Sequence, residues 1–347
     1  MGKLVILDGS SLLSTSFYGN LPKEYYGAKT EEDRAKVLKK LMQTSAGVYT
    51  NGVFTMCKIL LKLIEKQKPT HLAVAWDVTR NTFRRELYPE YKAQREETKP
   101  ELKSQFALMQ EVLDAMGIYQ FKNPRFEADD IIGTLAKRFE EEIPTYIMTK
   151  DQDSLQLVSD YTRVWLITSK AQEMYDEVLA GTGTSYKELP IPDNVFEFTS
   201  LYIEHFYGVK PIQIIDLKAL EGDKSDNIPG VRGVGEKASV PLIKEFGSVE
   251  NLYDRLDGLN KEEEKAMKEL LKEIGASRAY SYLTKTDDKE LVGKEAALLS
   301  KKLATIVTNI DEVKALNIDD LKLNINKAGM EKKFKELEFK SLLNKAV

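Results

Sequence analysis

Three short apolar runs, KLVILD (3–8), HLAVAWD (71–77) and TYIMTKD (145–151), are continuous rather than alternating, and TRVWLIT (162–168) has the same character. Runs of this length predict strands buried on both faces, as in a parallel sheet. Between them, residues 52–67, 102–116 and 128–140 place apolar side chains three and four apart. Leu102, Phe106, Met109, Leu113 and Met116 form one such stripe, the mark of a helix packed on a sheet. The pattern predicts an α/β unit over about residues 1–200, with a mainly parallel central sheet flanked by helices. Beyond residue 200 helical periods dominate, as in KEEEKAMKELLKEI, where Met267, Leu270, Leu271 and Ile274 share a face and the charges form its solvated side. A smaller helical domain over 201–347 is the expectation. The polar stretches 22–43 and 171–194 read as surface excursions.

Composition narrows the function classes. With 42% apolar and 31% charged residues the chain reads as a globular protein, and no apolar stretch approaches the roughly 18 residues of a membrane helix. The start MGKLVILD shows no cationic leader with a cleavable apolar segment, and Ile6 stands where a myristoylation signal requires Ser or Thr, so a cytoplasmic location is expected. The single cysteine, Cys57, lies in the apolar run VFTMCKILLKLI and reads as a buried structural thiol. His71 and His205 have no Cys or second His at ligand spacing, so zinc sites and Ser or Cys triads lack their parts. Any chemistry falls to carboxylates.

Nine carboxylates stand out because they follow apolar runs or open helices, and none has a basic partner at a fixed nearby spacing. They are Asp8, Asp77, Glu127, Asp129, Asp130, Asp151, Asp153, Asp223 and Asp226. Singly, each is the common turn former or helix cap. In FEADD, however, Glu127 and Asp130 sit three apart at a helix start with Asp129 beside them, and one acid would suffice as a cap. If all nine converge, repulsion makes the fold costly unless multivalent cations lie among them, which points to metal-dependent phosphoryl transfer. The net charge of −4 does not exclude a polyanionic partner: without the nine, 46 of the 55 acidic residues face 51 basic ones, a balance of +5.

Two further segments bear on a nucleic-acid partner. In EGDKSDNIPGVRGVGEKA, Gly230, Gly233 and Gly235 surround a turn that precedes a helix opened by Glu236, Lys237 and Ala238, the makings of a phosphate cradle or of a plain helix turn. In FRRELYPEYKAQREETK, five cations (Arg84, Arg85, Lys92, Arg95, Lys99) alternate with Phe83, Tyr88 and Tyr91, which suits a frayed single strand. Four glutamates in the same stretch suit a solvated helical loop equally well.

Taken in order, KLVILDGSSLL, LAVAWD, FRRELYPEYKAQR, FEADDIIGTLA, KDQDSLQLVSD, GVKPIQIIDLKALEGDKSDNIPGVRGVGEKA and LEFKSLL resemble the 5'-3' exonuclease domain of bacterial DNA polymerase I, which belongs with the flap endonucleases. The resemblance covers nearly the whole chain and, with no polymerase segment following, suggests a free-standing member. It implies a PIN-like α/β domain with a helical arch at about 80–103, and a helix-three-turn-helix at about 215–250. By resemblance the nine acids would ligate, directly or through water, two or more Mg2+ or Mn2+ ions. Lys92 and Arg95 would enter from the arch to steady the scissile phosphate; Arg84, Gly233, Gly235 and Lys237 would contact DNA, with a K+ ion at the helix-three-turn-helix. The implied partners are DNA with 5' ends, flaps or nicks and RNA–DNA primers, bound by a monomer with no membrane, in primer removal and repair. The segment KEYYGAKTEEDRAKVLKKLMQ is longer than the family pattern. Two alternatives stay open: a junction-binding module of the same fold with lost or minor nuclease activity, and a ribonuclease of a related α/β fold. Nine acids aimed at a polyanion count against the first, and the glycine-rich cradle against the second.

Overall fold

The computed structural model describes residues 2–343. Six strands form one sheet: β1 (Leu4–Asp8), β2 (His71–Trp76), β3 (Tyr119–Lys122), β4 (Thr145–Thr149), β5 (Thr162–Ile167) and β6 (Val195–Phe198), in the order β3-β2-β1-β4-β5-β6. The first five run parallel, and β6 is antiparallel to β5. Leu4, Val5, Ile6 and Leu7 have no exposed surface, because β1 is central and covered on both faces. Each such side chain contributes roughly 1.5–3 kcal/mol of apolar burial. Leu4 and Ile6 face one core with the helix Ala128–Phe139, while Val5 and Leu7 face the other with Gly9–Tyr18, Asn51–Gln67 and Pro100–Met116.

The four expected strands are present, and β3 and β6 are additional. Both are four-residue edge strands, and the polar residues in YQFK and VFEF interrupt an apolar run. The chain winds outward from β1 to β3, then returns to pair β4 on the other side of β1. This reversal is a switch point, where a crevice opens beyond the strand carboxyl ends. Asp8 closes β1, Asp77 follows β2, and Asp151 lies two residues beyond β4.

Segment 22–43 is more than an excursion: it carries the short helices Lys23–Gly27 and Glu31–Leu38, and Tyr25, Leu38 and Leu41 are buried in the second core. Helices also occupy much of 209–304, but their apolar faces join the first core without a break. The expected helical domain does not stay separate to the C-terminus. Leu323 N–H donates to the Thr70 carbonyl (2.9 Å), and Met330, Phe334, Phe339 and Leu342 pack into the second core. No helix among the described residues is long and apolar enough to cross a membrane.

Candidate active site at the carboxyl edge of the sheet

Asp8 is 5% exposed and caps the following helix, with Ser11 N–H donating to Oδ1 and the Thr149 hydroxyl to Oδ2, both at 2.9 Å. Asp77 accepts the Ala128 N–H (2.9 Å), so the end of β2 is tied to the acidic helix start. Burial, then the neighbouring Asp77 and Asp151, push the Asp8 carboxyl up to about 7. Burial, with Asp151 and Asp8 next in weight, raises Asp129 well above the usual carboxylate range. Asp153 is raised to about 6 by burial and by Asp151. Groups from β1, β2, the acidic helix and the loop after β4 therefore share one field.

The helical part supplies the rest. After the helix Ile214–Glu221, Asp223 and Ile228 exchange backbone hydrogen bonds (2.9 and 2.8 Å), and the tight loop between them presents Asp223 and Asp226. Lys218, on that helix, bridges Asp153 and Asp223. Burial opposes ionisation of Asp223, but hydrogen bonds from Lys218 and Ser225 prevail and hold it at about 2. The residue lies five positions before Asp223 in DLKALEGD, a sequence signal that went unused because its second partner, Asp153, is 65 residues away.

Residues 80–99 cross above this edge, with one short helix, Phe83–Leu87, followed by turns. Lys92 adopts φ 54°, its N–H donates to the Asp226 carbonyl (2.9 Å), and its Nζ lies 2.6 Å from Glu127 and 3.3 Å from Asp226. Arg95 reaches Asp226 at 2.5 Å. Burial disfavours the Lys92 ammonium, yet Glu127 leads a set of partners that keep its pKa well above the ordinary lysine value. Tyr91 is not free to stack on a nucleic-acid base: it is 4% exposed, and its hydroxyl meets Glu127 and Asp226, each at 3.3 Å.

Two expected roles change. Arg84, expected to contact DNA, is 3% exposed and holds Asp130 through two 2.7 Å bonds, a buried position that no phosphate can share. Asp130, expected among the metal ligands, is fully buried with its acceptor positions filled: Oδ1 also accepts the Val307 N–H (2.8 Å) and Oδ2 the Glu127 N–H (3.1 Å). The other eight carboxylates converge at the edge. Four of them have basic partners: Glu127 and Asp226 through Lys92 and Arg95, and Asp153 and Asp223 through Lys218, all but the Lys218–Asp223 pair brought by distant segments.

The glycine segment divides by role. Gly230 (φ +61°) lies against the backbone of Gly222, where an added Cβ would come within 2.2 Å of its nitrogen, so this glycine serves close packing. Gly233 (φ +95°) is exposed and lies beneath the ring of Tyr282. Gly235 opens the helix Glu236–Phe246 with no side-chain cap and open space above it, and Lys237 is exposed in the first turn. The helix start thus presents backbone N–H groups outward, as an anion site requires.

Among the described residues, no group of three or more Asp, Glu, His or Cys side chains forms a ready cage for a metal ion. Lys92, Arg95 and Lys218 stand between the carboxylates instead. The donor set nevertheless fits a hard divalent cation. Its ligands are all oxygens, burial and then mutual repulsion raise several of them, and Asp129 Oδ1 is buried without a hydrogen-bond partner among the described residues.

Residues 3–182 match the model of the 5'-3' exonuclease N-terminal resolvase-like domain, and residues 209–328 that of the 5'-3' exonuclease C-terminal SAM fold. The chain belongs to the 5'-3' exonuclease family. It is 32% identical to a 5'-3' exonuclease of Halalkalibacterium halodurans over 92% of this chain and 88% of that one. It is also 36% identical to DNA polymerase I of Bacillus subtilis over 99% of this chain, but spans only 32% of that polymerase. In fold the chain is similar to T5 5'-exonuclease with bound zinc (TM-score 0.54, 20% identity, 97% of this chain and 98% of that one). The catalytic core of Rad2 in complex with DNA substrate is similar too (TM-score 0.54, 16% identity, 98% and 91%).

Proposed function

We propose that this nuclease hydrolyses DNA phosphodiesters at 5' ends and 5' flaps, using two or more Mg2+ or Mn2+ ions held by Asp8, Asp77, Glu127, Asp129, Asp151, Asp153, Asp223 and Asp226. The observation that carries the reading is the meeting of these carboxylates with Lys92 and Arg95 of the overlying segment at one sheet edge. The metal-bound T5 structure and the DNA-bound Rad2 core, of the same fold, support it. When bound, divalent cations supply positive charge toward the transferring phosphate and acidify a water.

The chain's own groups do the rest. Asp8, Asp129 and Asp153 provide the negative charge that recruits cations, and Thr149 and Ser11 hold Asp8 in orientation. Lys92 and Arg95 exchange their carboxylate contacts for the scissile phosphate and stabilise its developing charge. Gly233, Gly235 and Lys237 grip the phosphates of the duplex beside the flap, with K+ as a further counter-charge at that turn. Primer removal and repair in the cytoplasm by a monomer, with RNA–DNA junctions among the substrates, is the cellular role in keeping with the polymerase relatives. Cleavage of an end-labelled 5'-flap duplex with Mg2+, Mn2+ or EDTA tests the reading. Products near the junction only with metal support it, and tight binding without metal-dependent product overturns it in favour of a junction-binding module.

A further inference from the structure

Arg84 and Asp130 remain buried at the base of the arch with no part in the chemistry described so far. We propose that Arg84 is a positioning residue for cleavage, one that fixes both sides of the Lys92–Glu127 contact through a single buried fork. The inference rests on the reading of Lys92 as the arch cation.

Arg84 joins three segments. Its Nη1 and Nη2 each lie 2.7 Å from a different oxygen of Asp130, at the start of the helix Ala128–Phe139. Nε donates to the carbonyl of Leu303 and Nη2 to that of Thr305, both at 2.8 Å, on the segment that ends the helix Gly293–Ala304. That helix packs against Ile214–Glu221, which carries Lys218 and leads into the Asp223–Asp226 loop. The guanidinium is therefore the common point of the arch, the acidic helix and the helical part that would hold duplex DNA.

From this point two chains of bonds run to the site. On the arch side, Tyr88 N–H donates to the Arg84 carbonyl and Tyr91 N–H to the Tyr88 carbonyl, both at 2.9 Å, and Lys92 follows at once in its left-handed turn. Tyr91 is packed with Ile228, Leu303 and Ala304, so this short ladder cannot tilt independently of the segment that Arg84 grips. On the helix side, Asp130 Oδ2 accepts the Glu127 N–H at 3.1 Å and sets the place of Glu127, whose carboxylate meets Lys92 at 2.6 Å. A lysine at position 84 would keep the charge but lose the planar fork that bonds Asp130 and two carbonyls together.

The test measures single-turnover cleavage and binding of a labelled 5'-flap duplex for Arg84→Lys, Lys92→Ala and the two combined, with folding checked by circular dichroism. We expect Arg84→Lys to be folded, to bind the duplex within about threefold of wild type, and to cleave roughly 10–100-fold more slowly, the cost of a misplaced group. Adding Lys92→Ala to it should cost far less than in the wild-type background, because the lysine is already misplaced. A wild-type rate for Arg84→Lys, or an undiminished Lys92→Ala effect in that background, would overturn the proposal. If Arg84→Lys does not fold, Arg84→Met with Asp130→Leu replaces the whole pair by apolar groups; a folded double variant that cleaves slowly supports the proposal, and one that cleaves normally overturns it. A wild-type rate for Lys92→Ala alone would overturn the reading of Lys92 and the proposal with it. That failure is separable because the single variant is measured by itself.

Discussion

Replacing Lys92 by alanine should change two properties in opposite directions. In catalysis the variant loses a cation aimed at the transferring phosphate. Removal of one such preorganised group typically costs about 10²–10³ in rate, or roughly 2.7–4 kcal/mol. Duplex affinity should move little, because the proposed grip on the duplex lies at Gly233, Gly235 and Lys237. In metal binding the change should be a gain. The Lys92 ammonium sits 2.6 Å from Glu127 and 3.3 Å from Asp226 and competes with a divalent cation for them. At an effective dielectric near 20, a unit charge 4 Å away is worth about 4 kcal/mol. Desolvation and relaxation cancel much of this, so about 1–2 kcal/mol, near tenfold, is the expected tightening of Mn2+ binding. Quench-flow cleavage of a 5'-flap duplex under single-turnover conditions reads the first effect, and a Mn2+ titration followed by electron paramagnetic resonance without DNA reads the second. An unchanged cleavage rate, or Mn2+ binding weakened rather than strengthened, refutes the assigned place of Lys92.

Other consequences follow from the same geometry. Gly233→Ala forces a Cβ to within 2.6 Å of the Tyr282 ring at φ +95° and should weaken duplex binding by about 1–3 kcal/mol, leaving the single-turnover rate at saturating enzyme near wild type; equal binding in a filter assay speaks against the cradle. Lys237→Ala should lower the slope of log Kd against log salt by about one, the signature of one lost phosphate contact, and an unaltered slope removes Lys237 from the interface. In chelator, thermal stability should fall as pH rises. Asp8 and Asp153 titrate near 7 and 6 in the fold against about 3.9 unfolded, so their protonated forms favour the folded state and that contribution is lost as pH climbs through those values. Asp223, held near 2, acts with the opposite sign only in acid. Saturating Mn2+ should flatten the profile, and a melting temperature that rises from pH 5 to 8 in EDTA contradicts the shared field.

The fold was legible where burial is two-sided. β1, β2, β4 and β5 are continuous apolar runs because helices cover both faces, whereas β3 and β6 are short edge strands with polar residues among the apolar ones. The acidic edge was legible for a related reason, since an aspartate ending or following an apolar run lies at a strand's carboxyl end. What could not be read was which carboxylates have partners. Asp130 looks like its neighbours in FEADD, yet the guanidinium that holds it comes from 46 residues away and a backbone N–H from 177 away. For the same reason, the basic and aromatic stretch 83–95 fitted a nucleic-acid surface and a solvated helical loop equally well. Arg84 and Tyr91 instead turn inward, and only tertiary contacts distinguish them from the exposed Arg95 beside them.

The central claim is that the carboxylates at the sheet edge form a divalent-cation site for cutting DNA at 5' structures. The most direct measurement is cleavage of a 5'-flap duplex labelled at either end, with Mg2+ or EDTA, by the wild type and by Asp129→Ala, which removes the buried oxygen that has no hydrogen-bond partner among the described residues. The account predicts junction-proximal products from the wild type with Mg2+, and none from the folded, DNA-binding variant or in EDTA. Cleavage that persists in EDTA, or undiminished cleavage by Asp129→Ala, would contradict it.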